Sequence, residues 1–178
     1  MRDVLYEESI IPKNLKLQKT VYIIYTVFEV ICIIIAAISL FFMLYFSWSF
    51  LIFVIFFALS ATLFGFVKRK IYYCVDCTFV TGSTRLVKVV NFKRRKKLLI
   101  FEANEVQKIG VFGSDSSQKI YLDKSVKKIY ATPNKSAEQL FYIFVYQSGL
   151  KYMVIMDCTQ NYIDNLTAFT GKQIIEKD

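Results

Sequence analysis

The strongest constraint in this sequence is one apolar run, residues 20–67, in which Glu29 is the only charged residue. Because an α-helix rises about 1.5 Å per residue, about 20 apolar residues cross the hydrocarbon core of a bilayer. The run is too long for one crossing and long enough for two. It predicts a hairpin of two transmembrane helices, over about residues 21–45 and 50–67, with a turn at Ser47, Trp48 and Ser49.

The segments on either side of this hairpin are more polar. Residues 1–19 mix apolar side chains with charges and contain Pro12, so we expect an interfacial segment there. A cleaved signal peptide has an apolar region of about 7–15 residues, far shorter than this run, so we expect both spans to be retained. Residues 71–178 are enough to bury a core and predict one soluble domain.

The cations that flank the hairpin predict its orientation. Three lysines precede the first span, and Lys68, Arg69 and Lys70 follow the second, whereas the turn between the spans has no cation. Lys and Arg are enriched in the cytoplasmic segments of membrane proteins. We therefore expect a multi-pass protein of the cell membrane with both termini in the cytoplasm.

Glu29 is the one candidate functional residue inside the apolar run. Ionisable side chains are costly to bury in a bilayer and often mark a site. In a hairpin folded at Trp48, however, Glu29 would lie near Val67 and Lys68, at the cytoplasmic end. A paired or snorkelling carboxylate explains it more simply than an ion or proton pathway, which needs more than one acidic residue.

After the hairpin, the sequence changes to short runs rich in β-branched and aromatic residues, separated by turn residues. The turns include Thr81-Gly82-Ser83, the basic run at residues 93–97 and Gln147-Ser148-Gly149. We predict loops at residues 113–118 and 131–139, and a helix over about residues 160–170. The predicted strands are residues 71–80, 85–91, 97–101, 106–112, part of 120–130, 140–147 and 150–157.

This order of elements resembles a pleckstrin-homology-like (PH-like) fold, a bent antiparallel sheet or open barrel closed by a C-terminal helix. The fold class we expect is therefore a membrane α-helical hairpin plus a mainly antiparallel β domain. The basic run, the strand after it and the acidic pair Glu102 and Glu105 also resemble a family of small two-span membrane proteins from Gram-positive anaerobes. The similarity extends to the entry into the first strand at Tyr72-Tyr73. It implies an architecture and no activity.

No set of residues in the sequence predicts catalysis, a cofactor or a metal site. The chain has no histidine, which removes the commonest general base and leaves Cys74-x-x-Cys77 without the partners that zinc needs. Residues three apart in a strand point to opposite faces. We therefore expect Cys74, Cys77 and the isolated Cys32 and Cys158 to be structural thiols.

The basic run is the most informative feature outside the membrane. Residues 71–178 contain 16 Lys or Arg and 10 Asp or Glu, so the cationic excess lies almost wholly in one stretch: Lys93, Arg94, Arg95, Lys96 and Lys97. A solvated turn and a contact with anionic lipid headgroups, shared with Lys68, Arg69 and Lys70, both remain open. The aromatic residues alternate with Val and Ile as in a core, so we expect no nucleic-acid partner.

Two functions follow from these features. The first is a non-enzymatic, membrane-anchored PH-like module that binds a partner or the lipid surface at the cytoplasmic leaflet. The alternative is an accessory subunit of a larger membrane complex for transport or assembly, or a homo-oligomer, with the hairpin as the assembly surface.

Overall fold

The computed structural model describes residues 5–137 and 139–170. The described residues form two compact units: a helical hairpin of residues 14–73, and a β domain built from the chain up to Lys13 and from Cys74 onward. The β domain therefore includes residues that precede the hairpin. The prediction of a domain limited to residues 71–178 is wrong in this respect, because the hairpin interrupts the domain.

The hairpin consists of α1 (Leu15–Tyr45) and α2 (Leu51–Ile71), joined through a 3₁₀ turn at Trp48–Phe50. The Ser47 hydroxyl oxygen accepts a hydrogen bond from the Ser49 N–H, at 3.3 Å, and so caps the turn. α1 has 31 residues, which corresponds to a length of about 46 Å. Both helices are long and apolar enough to cross a membrane.

Most apolar side chains of the hairpin face outward. Ile52 is 72% exposed and Leu59 is 65% exposed. Contiguous apolar surface of this extent is unfavourable in water and typical of a surface covered by lipid. The residues buried between the helices are small: Cys32 and Ser39 from α1, and Ala61 and Gly65 from α2. Small residues allow helix backbones to approach closely in a bilayer.

Within the described residues, four strands form the first sheet, in the order β1-β2-β3-β4. They are β1 (Leu5–Ile10), β2 (Tyr73–Val80), β3 (Ser83–Val90) and β4 (Arg94–Glu102). β1 pairs antiparallel with β2, from Tyr6 opposite Phe79 to Ile10 opposite Val75. Of the interfacial segment predicted for residues 1–19, residues 1–4 lie outside the described residues, and residues 5–19 form a strand, a short connection and the start of α1. Its alternation is the physical reason: Ile10 is buried, whereas Glu7 and Ser9 point outward.

The second sheet has the order β5-β7-β8-β6. Its strands are β5 (Val106–Val111), β6 (Val126–Tyr130), β7 (Phe141–Gln147) and β8 (Leu150–Met156). The β5–β7 and β7–β8 pairs are antiparallel, and the β6–β8 pair is parallel. Gln147 links the two sheets: its Nε2 donates to the Ile100 carbonyl at 3.0 Å and to the Glu105 carboxylate at 2.9 Å.

A short helix, α3 (Asp115–Leu122), connects β5 to β6. The loop predicted for residues 113–118 is therefore wrong. The segment is polar, but Ser114 caps the helix by accepting a hydrogen bond from the Ser117 N–H at 3.3 Å. The turn of helix lets the chain enter β6 parallel to β8.

The C-terminal helix expected near residues 160–170 is α4 (Gln160–Thr170). Its Tyr162, Ile163 and Leu166 are at most 2% exposed and pack in the core. The rings of Phe169 and Tyr162 contact Phe79 of β2 edge to face, with centroids 5.2 and 6.4 Å apart. The predicted class, a helical hairpin with a mainly antiparallel β domain and a C-terminal helix, is confirmed.

Glu8 of β1 joins the N-terminal strand to α4. Its carboxylate accepts hydrogen bonds from the Thr159 N–H, at 3.2 Å, and from the Thr159 hydroxyl, at 3.0 Å. The Tyr6 hydroxyl also lies 2.7 Å from the Thr159 hydroxyl. A carboxylate at the start of a helix satisfies free N–H groups and interacts favourably with the helix dipole.

We predict that Glu8→Ala destabilises the β domain by about 1–2 kcal/mol, because charged hydrogen bonds at the start of α4 are lost. The full chain in mild detergent should unfold a few degrees lower and exchange amide hydrogens faster in β1 and α4. Glu7→Ala is the control, since Glu7 is an exposed neighbour on the opposite face of β1. Equal effects of the two changes would contradict this role of Glu8.

Candidate lipid-contact segment and the charged pair of the hairpin

The basic residues 93–97, here called the basic segment, lie mostly within a strand. The turn between β3 and β4 is formed by Asn91 and Phe92, and the Lys93 N–H donates to the Val90 carbonyl at 3.2 Å. The prediction that the whole basic run closes this hairpin is therefore wrong. Arg94 to Lys97 form the first half of β4, because each pairs with a residue of β3.

A β-bulge sets the position of these cations. Leu86 pairs with Leu99, but Val87 pairs with Lys97, so Leu98 is an extra residue on β4. The shift places Lys96 directly across from Lys88. Like charges in directly opposed positions repel each other. The sheet therefore concentrates positive charge on β3 and β4 at some expense to its own stability.

The whole basic segment is accessible. Residues 92–97 are consecutively exposed, whereas Leu99 and Phe101, farther along the same strand, are 6% and 0% exposed. β4 is an edge strand of its sheet. In the described parts of the chain, none of these five cations forms an ion pair. The segment thus presents uncompensated positive charge on a strand edge that is open to a ligand.

The three cations at the end of α2 have different surroundings. Lys68 pairs with the Glu29 carboxylate of α1. The Arg69 guanidinium lies 5.8 Å from the centroid of the Phe66 ring, a cation–π distance. Lys70 is exposed. Among the residues that the structure describes at this end of the hairpin, Arg69 and Lys70 therefore keep charges that no carboxylate compensates.

Glu29 lies against α2, where the hairpin geometry places it beside Lys68. The two side chains are 22% and 17% exposed, so the pair is largely enclosed by the helices. Gly65 makes room for the carboxylate, since an added Cβ there would lie 3.0 Å from Oε1 of Glu29. An oppositely charged partner lowers the penalty of placing a carboxylate among apolar residues.

A groove of about 490 Å³ runs along the hairpin beside this pair. It is lined mainly by small residues of both helices, with Glu29 and Arg69 at one end. Ala36, Ala58, Ala61, Thr62 and Gly65 form much of its wall. A lining of small residues is typical of a surface on which a further helix can pack in a bilayer.

The cysteines are buried and unpaired as disulfides. Burial raises the pKa of Cys77 to about 12, and it also raises the pKa of Cys158 and of Cys74. These thiols are protonated at neutral pH and are poor nucleophiles. Cys74 and Cys77 have different neighbours: the Cys74 thiol approaches the Val89 carbonyl, at 3.9 Å, whereas Cys77 lies beside Tyr162.

The described residues contain no group of three or more Cys, Asp or Glu side chains that could hold a metal ion. The acidic pair seen in the sequence has a structural role. Glu102 precedes a 3₁₀ turn at Ala103–Glu105 and Glu105 is its last residue, and the Glu105 carboxylate accepts from the Glu102 N–H at 2.9 Å. This capping box connects β4 to β5.

The profile of one protein family, described as Bacterial PH-like domain (DUF6106), matches residues 3–176. The chain belongs to this family. The match spans the hairpin as well as the PH-like domain, so it agrees with a two-span membrane protein that carries such a domain, as expected from the sequence. Domains of this kind are generally non-catalytic. No curated protein and no solved structure matches the chain significantly.

We predict that Glu29→Gln and Lys68→Gln each destabilise the hairpin by roughly 1–3 kcal/mol, because each leaves one enclosed charge without its partner. The double variant should recover much of this loss, since it removes both charges. Thermal unfolding of the full chain in detergent measures the four free energies. Additive losses would show that the two side chains do not depend on each other.

Proposed function

We propose that this protein is a membrane-anchored PH-like module, without enzymatic activity, whose basic segment binds the anionic surface of the cytoplasmic leaflet. The observation that carries the proposal is the exposed, uncompensated charge of residues 93–97 on the edge strand β4. The hairpin supplies the second condition, because it keeps the PH-like domain attached to a bilayer.

The expected binding energies favour a contact whose strength depends on charge. A basic residue near an anionic leaflet contributes about 1 kcal/mol, so five together could contribute several kcal/mol at low ionic strength. Screening weakens this attraction, since the Debye length is about 8 Å in physiological salt. The contact should therefore depend on the fraction of acidic lipid and on the salt concentration.

The pairing of β1 with β2 supports a shared side for the two ends of the hairpin. β1 precedes α1 and β2 follows α2, yet the two strands are neighbours in one sheet. A chain that enters a bilayer after β1 must then return to the same side before β2. The cations that flank the hairpin favour the cytoplasmic side for both ends, and Arg69 and Lys70 would join the basic segment as headgroup contacts.

We predict that acidic lipid protects the edge strand β4 from amide hydrogen exchange. The full chain would be placed in nanodiscs of phosphatidylcholine alone or with one quarter phosphatidylserine. Exchange in residues 92–98 should slow several-fold with phosphatidylserine, because a bound headgroup layer covers the open strand edge. Raising the salt concentration to about 0.5 M should weaken the protection strongly, since the Debye length is then shorter than at physiological salt.

Two charge variants sharpen this experiment. In the first, Arg94, Arg95, Lys96 and Lys97 become Gln, and the protection should disappear. In the second, four exposed lysines elsewhere in the domain become Gln, which matches the change in net charge: Lys119, Lys124, Lys127 and Lys151. This control should keep the protection. Equal exchange in both types of nanodisc, or equal loss in both variants, would contradict the lipid contact.

The groove between α1 and α2 favours a second candidate, an accessory subunit that packs against a transmembrane helix of another protein or of a second copy. Ala58 is exposed and lines this groove, so Ala58→Phe fills it without changing charge. Under this candidate, the mass of the complex in mild detergent exceeds that of one chain and falls with Ala58→Phe. A single chain in both cases would leave the lipid-binding module as the better account.

A further inference from the structure

The turn between β3 and β4 differs from two other tight turns of the PH-like domain. Each of the three has two residues with positive φ: Thr81 and Gly82, Ser148 and Gly149, and Asn91 and Phe92. Glycine occupies the second position in the first two turns, as expected for a left-handed conformation. The third turn has Phe92 there, with φ of 52°.

An aromatic side chain in this conformation is unfavourable, and the core does not explain it. A residue with a Cβ adopts positive φ at a conformational cost, and bulky residues rarely do so. Phe92 is 52% exposed, whereas Phe79 and Phe101 of the same sheet are fully buried. The chain thus keeps a strained backbone that leaves about half of an apolar residue exposed. Such strain occurs where a local conformation serves binding.

The neighbours of Phe92 indicate what the ring meets. The five cations of the basic segment follow it directly in sequence, and all are exposed. In an anionic bilayer, the phosphates lie above the acyl chains. A row of cations can bind the phosphates while an apolar ring beside them reaches the acyl chains. The hairpin holds this domain at a membrane, so the bilayer is the partner with both chemistries within reach.

We propose that Phe92 inserts into the apolar layer of an anionic bilayer while the basic segment binds the phosphates around it. This inference rests on the proposed lipid contact and specifies how far the turn between β3 and β4 enters the bilayer. The contact is then partly hydrophobic, and a fraction of it persists when salt screens the charges. The cations decide which membrane is bound, and the ring sets the depth of the tip.

The chain has one tryptophan, Trp48, which makes a direct test available. In the Trp48→Phe background, Phe92→Trp places the only indole at the tip. The full chain would be reconstituted in vesicles that contain phosphatidylserine and lipids brominated on the acyl chains. Bromine quenches tryptophan only at close range, so an inserted ring should lose at least half of its fluorescence and shift its emission to the blue.

Leu150→Trp in the same background is the matched control. Leu150 is 58% exposed and follows the Ser148-Gly149 turn, where no comparable row of cations is present in the sequence. Gln147 places that turn beside Ile100, at the opposite end of β4 from Phe92. Its fluorescence should change little with brominated lipid. Equal quenching at both positions would overturn the inference, because it would reflect general closeness to the bilayer.

The other outcomes separate this inference from the function it extends. If acidic lipid still protects β4 from hydrogen exchange but the indole of the Phe92→Trp variant is not quenched, insertion is overturned and the electrostatic contact stands. If neither effect is seen, both fail. A blue shift without quenching would place the ring against protein, such as a second copy, and overturn the lipid assignment. Equal quenching in vesicles of neutral lipid would overturn the role given to the cations.

Phe92→Gly supplies an independent measurement. Glycine relieves the strain of a positive φ and forms a favourable turn after Asn91. The variant should therefore unfold at a temperature equal to or above that of the parent, while the protection of β4 by acidic lipid falls several-fold, most clearly at high salt. A lower unfolding temperature with unchanged protection would show that the ring serves packing and would overturn the inference.

Discussion

The pairing of β1 with β2 is the interaction on which the rest of the structure depends. Ser9 and Asp76 are 67 positions apart, yet the Ser9 hydroxyl donates to the Asp76 carboxylate at 2.7 Å within this pair. The entropic cost of closing so long a connection is reduced here, because the antiparallel helices return the chain close to its start. The hairpin is thus both an insertion in the domain and the element that lets the domain close.

This arrangement makes the PH-like domain depend on the chain that precedes the hairpin. Without β1, the edge of β2 would be open and α4 would lose the Glu8 carboxylate at its N-terminus. Open strand edges are a recognised cause of aggregation. A fragment that begins after the hairpin is therefore an incomplete domain, and the full chain is the appropriate material for lipid-binding experiments.

Under the proposed function, charge serves two purposes at the opposite edge of the same sheet. Cations and a bulge on β4 oppose pairing with another strand, which by itself protects the domain from edge-to-edge association. Two features are not needed for that protection: the register places Lys88 directly across from Lys96, and Phe92 adopts a positive φ that is costly for a residue with a Cβ. An anionic surface would neutralise the opposed cations and cover the exposed ring, and this is why we favour a lipid partner over solvent for the segment.

The parts of the structure that could be predicted are those with a long or strong pattern. The hairpin could be predicted because its apolar run has the length and composition of two membrane spans. The position of Glu29 beside Lys68 could be predicted because residues equally distant from the turn face each other in an antiparallel pair of helices. β1 was missed because its six residues include two glutamates and its partner lies beyond the hairpin. The strand in the basic run was missed because five consecutive cations hide the alternation. No sequence pattern marks the bulge at Leu98 that fixes their pairing.

Helix α3 and the turn at Phe92 show a second limit of prediction from sequence. A short helix rich in Ser and Asp has the composition of a loop, and only its cap and its packing against the sheet distinguish the two. The exposed ring of Phe92 resembles any other strand aromatic in the sequence. Its positive φ is visible only in the structure. The angle becomes informative when this turn is compared with the two turns that have glycine at the same position.

The central claim is that one domain, which we propose to be cytoplasmic, is built from chain on both sides of a two-span hairpin. Single cysteines at Glu7, Lys124 and Ser49 test it in intact cells with a membrane-impermeant thiol reagent, and the four native cysteines are buried and give little background. The account predicts that the cysteine at Ser49 reacts from outside, whereas those at Glu7 and Lys124 react only after lysis. Reaction of Glu7→Cys and Lys124→Cys from opposite sides, or of both from outside, would contradict it.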